Sequence, residues 1–403
     1  MTRILFVTNH FYPEQFKSTE FCTELVQRGY QITVISQTPN YPNGRFFEGY
    51  SWFKKRKQQY QGVDIIRLPV IARGTNKIML ALNYLSYITS MFFHSHFTKL
   101  EADLVITYET SPVFVGLYGK WFGKRRHIPH IFYCLDLWPD NFAGVTGIES
   151  SFLINRIQNI TNRIYRSSDK ILVSSRAFIA KIKEQVSTAD VVYFPQFMDE
   201  IQGNTKSSVK LEDTFNITFT GNIGEAQGLD ILIEVAKKIK DQDLKVRFNL
   251  VGDGSYLKHL LFKAQIEQVD TYLLSHGRVP ANEVADILDR SDVALLSFDE
   301  SSIFELTPPA KLQTYLSNNI PILASCSGEP ARIIEEAGCG YVSKAGDVEG
   351  LYQNILNFMA LSDLEMEVMS KNGYNYARDH FDKEKLFNQL EEIIEEVTNE
   401  FKQ

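Results

Sequence analysis

Short apolar runs alternate along this chain with longer stretches of helical periodicity. Runs of four or five apolar residues between turn-forming residues predict buried strands. In the first half these predicted strands cover residues 4–8, 32–36, 64–68, 104–107, 131–135 and 191–194. In the second half they cover residues 216–220, 247–251, 273–276, 293–297 and 321–324. Strands that alternate with helices predict an α/β protein with parallel sheets, whose ligands bind at the carboxyl ends of the strands.

A polar stretch at residues 200–212 separates the two series of strands and is typical of a domain linker. A chain of 403 residues is long enough for two ordinary domains. We therefore predict an N-terminal domain over residues 1–195 and a second domain from residue 196 onward.

The most apolar predicted helix covers residues 78–93 and is too short to span a bilayer. Asn83, Ser86, Thr89 and Ser90 interrupt its apolar sequence. A buried core helix is the simpler interpretation. Because basic residues flank the segment on both sides, a helix that dips into the membrane interface is the alternative.

The composition is that of a soluble globular protein, with 44% apolar and 23% charged residues. The four cysteines are far apart and form no CxxC pair, which favours reduced thiols over disulfides or a zinc site. The apolar run after the first three residues is too short for a signal peptide, so a cytoplasmic location is expected.

Charge is distributed unequally between the two halves. Residues 1–195 contain 23 Lys and Arg and 14 Asp and Glu, a net charge of +9, whereas the rest carries 19 and 35, a net charge of −16. The basic half includes clusters at residues 54–57 and 124–126. Either cluster alone is explained by a solvated loop, but the asymmetry indicates an anionic surface, either phospholipid headgroups or nucleic acid.

Several strand ends in the second half carry glycine-rich or basic loops, at residues 221–228, 252–254, 277–280 and 298–309. Their convergence on one sheet edge is a stronger indication of a site than any single loop. Lys311 follows the last loop, in the first turn of a helix predicted from Ala310. A cation is unfavourable at that end of a helix dipole, so its placement indicates a bound anion. An exposed lysine is the simpler alternative.

These segments together resemble a known family. Five segments of the second half resemble the donor-binding domain of the retaining glycosyltransferases of family 4. They are FTGNIGEAQGLD, VGDGS, HGRVP, TPPAKLQTYL with IPILAS, and GEPARIIEEAGCGY. TNHFYPE, TPNYPNG and DLWPD resemble their acceptor domain. The resemblance is nearest to the bacterial branch that transfers sugars such as N-acetylfucosamine to lipid-linked surface-polysaccharide intermediates. It implies the GT-B fold: two Rossmann-like, doubly wound parallel-sheet domains facing a cleft, over residues 1–195 and 196–382, with a helix at 383–403 crossing back to the first.

The resemblance also implies roles for individual residues. The catalytic set would be Lys311, Arg278, Asp136 and Glu305. Donor-binding residues would be Gly221, Asn222, Ile223, Gly224, Gly252, Val279, Thr307, Pro309, Gln313, Thr314 and Glu329. Acceptor-binding residues would be His10, Glu14, Asn40, Tyr41 and Trp138.

The implied partners are a UDP-sugar donor, a lipid-linked saccharide acceptor and the inner face of the cell membrane, with no nucleic acid. No metal or cofactor is implied, because the developing charge on the diphosphate would be met by Lys311, Arg278 and backbone amides. Asp241-Gln242-Asp243 matches a DxD motif but falls in a helix-to-strand connection.

Two departures from the family leave other functions open. Thr314, preceded by Gln313, stands where the family has its second glutamate, and Glu225-Ala226-Gln227 replaces a basic pair. A nucleotide-sugar epimerase of GT-B fold and a non-catalytic subunit of a transferase complex are the alternatives.

Overall fold

The computed structural model describes residues 1–140, 142, 150–198, 205–300 and 305–401, which form two α/β units. The first unit comprises Met1–Phe194 and Phe387–Gln403, and the second comprises Pro195–Leu386. The chain therefore changes unit one residue before the boundary predicted at 195, and it returns four residues after the one predicted at 383.

The first unit contains one eight-stranded sheet. Its strands are β1 (Arg3–Thr8), β2 (Gln31–Gln37), β3 (Lys57–Tyr60), β4 (Val63–Leu68), β5 (Leu104–Glu109), β6 (His130–Cys134), β7 (Lys170–Val173) and β8 (Val191–Tyr193). Their spatial order is β3-β4-β2-β1-β5-β6-β7-β8, parallel except for β3. The central strands are buried on both faces, which explains their continuous apolar runs. The predicted basic cluster leads into β3, a half-exposed edge strand where charge hinders pairing with other chains.

Helices from the described residues pack on this sheet before the chain leaves the first unit. They are α1 (Lys17–Gln27), α2 (Lys77–Phe97), α3 (Gly116–Arg126), α4 (Ser151–Tyr165) and α5 (Arg176–Gln185). The interpretation of residues 78–93 as a buried core helix is wrong. Only Asn83, Tyr87, Met91 and Ser95 of α2 are buried, while most of its large apolar side chains are exposed.

The second unit contains a six-stranded sheet that is parallel throughout. Its strands are β9 (Phe215–Asn222), β10 (Val246–Asp253), β11 (Leu273–Gly277), β12 (Val293–Ser297), β13 (Ile322–Ser325) and β14 (Gly340–Ser343), in the order β11-β10-β9-β12-β13-β14. Its helices are α6 (Ile231–Asp241), α7 (Leu257–Ile266), α8 (Ala281–Asp289), α9 (Ala310–Ser317), α10 (Glu329–Ala337), α11 (Val348–Met359) and α12 (Asp363–His380). Two hydrophobic clusters form its core, one around Phe248 and one around Tyr315.

Part of the predicted linker is bound to the second unit. Residues 199–204 lie outside the described residues, but from residue 205 the chain is bound to the second unit. The Ser207 hydroxyl donates to Glu283 at 2.8 Å and its N–H donates to Asp286 at 3.1 Å. This segment therefore belongs to the second unit.

The last helix, α13 (Lys383–Glu400), carries the chain end back to the first unit. Phe387 packs on Phe21 with ring centroids 5.1 Å apart, and Arg28 pairs with Glu391 at 2.8 Å. Lys170, at the start of β7, pairs with Glu396 at 2.9 Å. Apolar packing and ion pairs thus hold this helix on the first unit.

Each sheet reverses its winding direction at one point, between β1 and β5 in the first unit and between β9 and β12 in the second. Successive strands are added on opposite sides of these points, so the connecting loops part there and leave a crevice. Ligands of open parallel sheets bind at such crevices.

Candidate functional site

Lys311 lies at the switch point of the second sheet. Its ammonium is 3.9 Å from the ring centroid of Phe219 on β9 and 5.9 Å from that of Phe298, which follows β12. Its Nζ donates to Gln227 Oε1 at 2.6 Å. It makes no ion pair with any residue that the structure describes. Burial without a carboxylate partner lowers the pKa of Lys311 from 10.5 to about 7.

Tyr315, one turn further along α9, opens the gap into which Lys311 reaches. The strands β9 and β12 pair only at Ile217–Val293 and Thr218–Ala294. Beyond that point the Thr220 N–H donates to the Tyr315 hydroxyl at 3.0 Å. Nothing in the sequence distinguishes Tyr315 from an ordinary buried residue on the apolar face of this helix.

The loops that follow β9 and β12 are joined again outside this gap. The Asp299 N–H donates to the Ala226 carbonyl at 3.1 Å, and a Cβ on Gly228 would lie 2.7 Å from the Phe298 carbonyl oxygen. Gln227 is thereby held beside Lys311. By the family resemblance Gln227 is one of the residues that replace a basic pair, whereas in the structure it is the hydrogen-bond partner of Lys311.

The glycine loop after β9 contributes mainly backbone. Gly252 on β10 lies so close to Gly221 that a Cβ there would be 1.8 Å from the Gly221 carbonyl oxygen. Gly221, Asn222 and Gly224 are at least partly exposed at the strand end. Ile223 differs from its neighbours in this loop. Its side chain is in the core and its N–H donates to the Asp253 carbonyl, so only its carbonyl oxygen, which accepts from the Tyr256 N–H, has a lone pair left for a ligand.

Glu305 and Glu329 are brought together by Gly328. A Cβ on Gly328 would lie 2.1 Å from the Glu305 carbonyl oxygen, so the residue before α10 lies directly against the backbone of Glu305. Glu329 is buried, and its two carboxylate oxygens accept from Arg332 at 2.7 and 2.9 Å. A ligand would have to compete with Arg332 for Glu329.

The start of α9 carries the remaining predicted donor residues of that stretch. Thr307 and Pro309 are partly exposed beside its first turn. The two residues at the missing-glutamate position have local partners. Gln313 donates to the Gln196 carbonyl at 2.7 Å, and Thr314 donates to the Ala310 carbonyl at 3.3 Å. The structure therefore gives both side chains a role within the second unit.

Arg278 and Val279 follow β11, the edge strand two positions away from β9. Arg278 is exposed, and no hydrogen bond or ion pair is found for it within the described ranges. Neighbouring strands are about 4.8 Å apart. The end of β11 therefore lies about twice that distance from the end of β9. The side chain of Arg278 would have to reach across β10 to act with Lys311.

On the first unit, His10 and Glu14 form a buried pair after β1. His10 Nδ1 and Glu14 Oε2 are 2.8 Å apart, and Phe16 stacks on the imidazole with ring centroids separated by 4.5 Å. The other oxygen of Glu14 accepts from the N–H groups of Asn40 and Tyr41, each at 2.7 Å. Glu14 thereby fastens the loop after β1 to the loop after β2.

Two of the predicted acceptor residues are structural. Asn40 is fully buried, where its amide nitrogen donates to the Thr38 carbonyl and its oxygen accepts from the Arg73 N–H. Trp138 is 3% exposed and donates to the Ser111 hydroxyl at 3.2 Å. Tyr41, in contrast, is 37% exposed and remains available for an acceptor.

Asp136 is held beside the switch point of the first sheet. Its Oδ2 accepts from the Ser111 hydroxyl at 2.6 Å and from the Ser111 N–H at 3.1 Å. Behind it, the fully buried Glu109 accepts from the N–H groups of Leu135 and Asp136 through Oε2. Burial, and secondarily the charge of Asp136, raise the pKa of Glu109 well above its usual value. Sequence reasoning missed Glu109 and Ser111 because both look like ordinary residues at a strand end.

A cavity of about 470 Å3 lies on the other side of the β12 loop. Its walls include Asp230, Glu234, Glu267, Asp299 and Glu300, with Lys263 as the basic lining residue. A diphosphate would be repelled by these carboxylates. The cavity contains none of the predicted donor residues, so we do not assign the donor to it.

Within the described part of the chain, no three His, Cys, Asp or Glu side chains are grouped as metal ligands. Asp241 and Asp243 lie at the opposite edge of the sheet, before β10 begins. No helix in the same residues is long and apolar enough to cross a bilayer.

Comparison with protein families identifies both units. The model described as "Glycosyl transferase 4-like domain" matches residues 18–195, and the model described as "Glycosyl transferases group 1" matches residues 214–360. The first match begins after β1, and together the two matches cover the other strands of both sheets and most of the chain.

Individual relatives are distant. WcaL of Escherichia coli K12, whose name describes a colanic acid biosynthesis glycosyltransferase, is 20% identical over 256 residues, which are 63% of this chain and 63% of WcaL. The aligned part is thus less than two thirds of that relative.

Solved structures share the fold over almost the whole chain. Sucrose-phosphate synthase of Thermosynechococcus elongatus has a TM-score of 0.75 at 12% identity, covering 98% of this chain and 99% of that one. HepE of Anabaena, solved in complex with UDP, has a TM-score of 0.66 at 13% identity, covering 98% and 100%. The predicted GT-B fold is confirmed.

Proposed function

Because this chain belongs to the glycosyltransferases, with a 4-like domain followed by a group 1 domain, we propose that it transfers a sugar from a UDP-sugar to a lipid-linked glycan. The sugar we propose is an N-acetylated hexosamine or deoxyhexosamine. The product would belong to a cell-surface polysaccharide such as capsule, O-antigen or exopolysaccharide. The colanic acid assignment in the name of WcaL supports this part of the proposal.

The observation that carries the proposal is the partly buried ammonium of Lys311. A cation that lies among aromatic rings without a carboxylate is costly for the folded protein, and its placement is explained if an anion completes the site. The helix α9 begins at Ala310 and α10 begins at Glu329, so both direct their free N–H groups to the same sheet edge. A diphosphate matches this arrangement of charge and donors.

The reaction we propose breaks the bond between the sugar C1 and the β-phosphate oxygen of the donor. The acceptor hydroxyl oxygen forms the new bond to C1 on the same face, so the configuration is retained. The hydroxyl proton passes to the departing phosphate oxygen, and the products are the glycoside and UDP. Lys311 neutralises the charge that develops on the phosphate, with Arg278 and the glycine-loop amides assisting it, and no metal or cofactor is required.

UDP is proposed as the nucleotide because HepE, which shares this fold, has been solved with UDP. The sugar-contacting residues we propose are Glu305 on the donor side and Asp136 on the acceptor side. Of the predicted acceptor residues, His10 and Tyr41 remain the candidates for contact with the glycan. We also propose that the enzyme works from the cytoplasm at the inner face of the membrane, where the basic first half would meet anionic lipid.

The first test is thermal melting of the full chain with UDP, GDP, ADP or dTDP in the presence of EDTA. A ligand that binds only the folded state raises the melting temperature. We expect a rise with UDP alone. Lys311→Met should lose this rise. Lys240→Met is the matched control. Lys240 also donates to a carbonyl oxygen, but it is exposed in the last turn of α6, at the end of that helix away from the glycine loop.

Turnover separates this function from the alternatives. The proposal requires UDP release that depends on an added lipid-linked acceptor. Conversion of the UDP-sugar without acceptor would instead identify an epimerase. If no nucleotide raises the melting temperature and no turnover occurs, the protein is a non-catalytic subunit and the proposal is wrong.

A further inference from the structure

Helix α2 is attached to the first unit by a narrow face of polar and apolar residues. Its buried residues are Asn83, Tyr87, Met91 and Ser95, which recur every four residues along one face. Asn83 and Ser95 are polar, whereas Tyr87 and Met91 join a hydrophobic cluster of the first unit. An ordinary surface helix packs its wide apolar face on the core, but most of the large apolar side chains of α2 point outward.

Hydrogen bonds fix this orientation. The Asn83 amide donates to the Ile71 carbonyl at 2.6 Å, and the Tyr87 hydroxyl donates to the Thr8 carbonyl at 3.0 Å. Beside them, Ser90 donates to the Pro69 carbonyl at 2.5 Å. Rotating the helix to bury its apolar side would break these bonds and leave buried polar groups without partners. The outward direction of the apolar face is therefore built into the fold.

The outward face is an apolar stripe. Its large apolar residues recur at helical spacing and are 39–74% exposed. They are Ile78, Leu82, Leu85, Phe93 and Phe97. At 1.5 Å per residue the stripe is about 28 Å long. Thr89 lies within it, and its hydroxyl donates to the Leu85 carbonyl at 2.8 Å, so it presents no unpaired polar group. Contiguous exposed patches of this kind mark interaction or membrane-contact surfaces.

The charged residues that α2 and the chain beside it carry, from residue 65 to Lys99, are basic. The sequence contains no acidic residue between Asp64 and Glu101. At the carboxyl end of α2, Arg125 and Arg126 both donate to the Thr98 carbonyl, at 2.8 and 2.9 Å, and remain exposed. Lys99 and Lys124 are exposed on either side of them.

This arrangement identifies the partner by its chemistry. An apolar stripe bordered by basic residues is complementary to an anionic bilayer, with hydrocarbon below and phosphate at the level of the basic groups. A second copy of the chain would not supply complementary charge, because two such faces bring only basic residues together.

We propose that α2 lies flat in the interface of an anionic membrane, with the stripe from Ile78 to Phe97 inserted among the lipid chains. Lys99, Lys124, Arg125 and Arg126 contact the headgroups. The inference rests on the proposed membrane location and adds the surface that achieves it. Tyr87 of α2 donates to the carbonyl of Thr8, the last residue of β1. The membrane-bound helix would therefore contact the strand that leads to His10 and Glu14.

Vesicle flotation of the full chain, without donor or acceptor, tests this surface. Wild-type protein should float with vesicles of phosphatidylglycerol and phosphatidylethanolamine, and bind phosphatidylcholine vesicles at least about tenfold more weakly. Leu85→Asp/Phe93→Asp should weaken binding to the anionic vesicles by at least about tenfold. Phe262→Asp/Ile266→Asp is the matched control. Both of its residues are 61% exposed, close to the 61% and 56% of the test pair, but they lie in the acidic second unit, so binding should not change.

A label on the stripe gives a second readout that does not depend on an acidic substitution. The four native cysteines are buried, so Thr89→Cys offers one accessible thiol for a polarity-sensitive fluorophore. Its emission should shift to the blue with anionic vesicles, whereas the same label on Phe262→Cys should not respond.

Three outcomes would overturn the inference. If the Leu85/Phe93 variant floats like wild type, the stripe is not the contact, although the proposed membrane location stands. If wild type does not float, both the location and the surface fail, while nucleotide binding and transfer are unaffected. If ultracentrifugation shows a wild-type dimer that the same variant separates, with no label response to vesicles, the stripe binds a second copy instead.

Discussion

Replacing Lys311 by methionine should abolish transfer while stabilising the protein. Methionine has similar length and retains the apolar contact with Phe219 and Phe298, but it carries no charge. A residue whose removal stabilises the fold is one that the fold keeps for its ligand. The stability change therefore tests the interpretation of the site independently of any activity assay.

The magnitude follows from the pKa of the lysine. Burial lowers this pKa from 10.5 to about 7, and each pKa unit corresponds to ~1.36 kcal/mol, so the charged form costs the folded state up to about 5 kcal/mol. Loss of the hydrogen bond to Gln227 offsets about 1–2 kcal/mol of the gain in the variant. Because the side chain is only partly buried, we expect a net stabilisation of about 1–3 kcal/mol at pH 6.

The pH dependence has a defined sign. Below pH 7 the lysine is protonated in both states, and the cost is fully present. Between pH 7 and 10.5 the folded lysine has lost its proton while the unfolded lysine keeps it, so the unfolded state binds more protons. Wild-type stability therefore rises with pH in this window relative to the variant, by at most ~1.4 kcal/mol per pH unit.

Urea unfolding of wild type and Lys311→Met at pH 6, 7.5 and 9 measures this difference directly. Other titrating groups are common to the two proteins and cancel in the comparison. Lys240→Met should follow the wild-type pH profile. If Lys311→Met is less stable than wild type at pH 6, or if the two profiles are parallel, the ammonium is stabilised within the folded protein and no anion is needed to explain it.

Three further substitutions, one of them with a matched control, test the framework of the site. Glu109→Gln should lower the free energy of unfolding by less than about 1 kcal/mol at pH 5. At pH 8 it should be stabilising relative to wild type, because the raised pKa of Glu109 favours its neutral form and the wild-type advantage is lost as pH rises through that pKa. A large loss of stability for this variant at pH 8 in urea unfolding would contradict this. Glu14→Gln should raise the KM for acceptor by about tenfold, since the loop carrying Tyr41 loosens, and leave the UDP-induced melting rise unchanged; a diminished rise would refute the assignment of Glu14 to the acceptor side. Gly252→Ala should cost about 2 kcal/mol or more in urea unfolding, whereas Gly277→Ala, with an open surrounding and φ +69°, should cost about 1 kcal/mol; equal costs would show that the contact with the neighbouring strand relaxes.

Much of the fold was predictable from local patterns. All eleven predicted strands coincide with strands of the structure to within one or two residues, because a buried parallel strand is a short apolar run bounded by turn residues. Three strands were missed: β3, whose sequence KQQY is polar at a sheet edge, and β7 and β14, which are only four residues long. The positions of Lys311, Glu305 and Asp136 at strand ends also followed from the order of strand, loop and helix.

The sequence by itself determined that the chain forms two parallel α/β sheets with glycine-rich strand ends and a lysine at a helix start. Those features depend on spacing within a few residues of one another. The tertiary structure alone decided that Gln227, 84 residues away, holds Lys311, that Tyr315 separates β9 from β12, and that α2 turns its apolar side outward. Each of these depends on hydrogen bonds between residues that are far apart in the sequence. The spacing of apolar residues predicts how apolar a helix face is, but it does not predict which groups that face contacts.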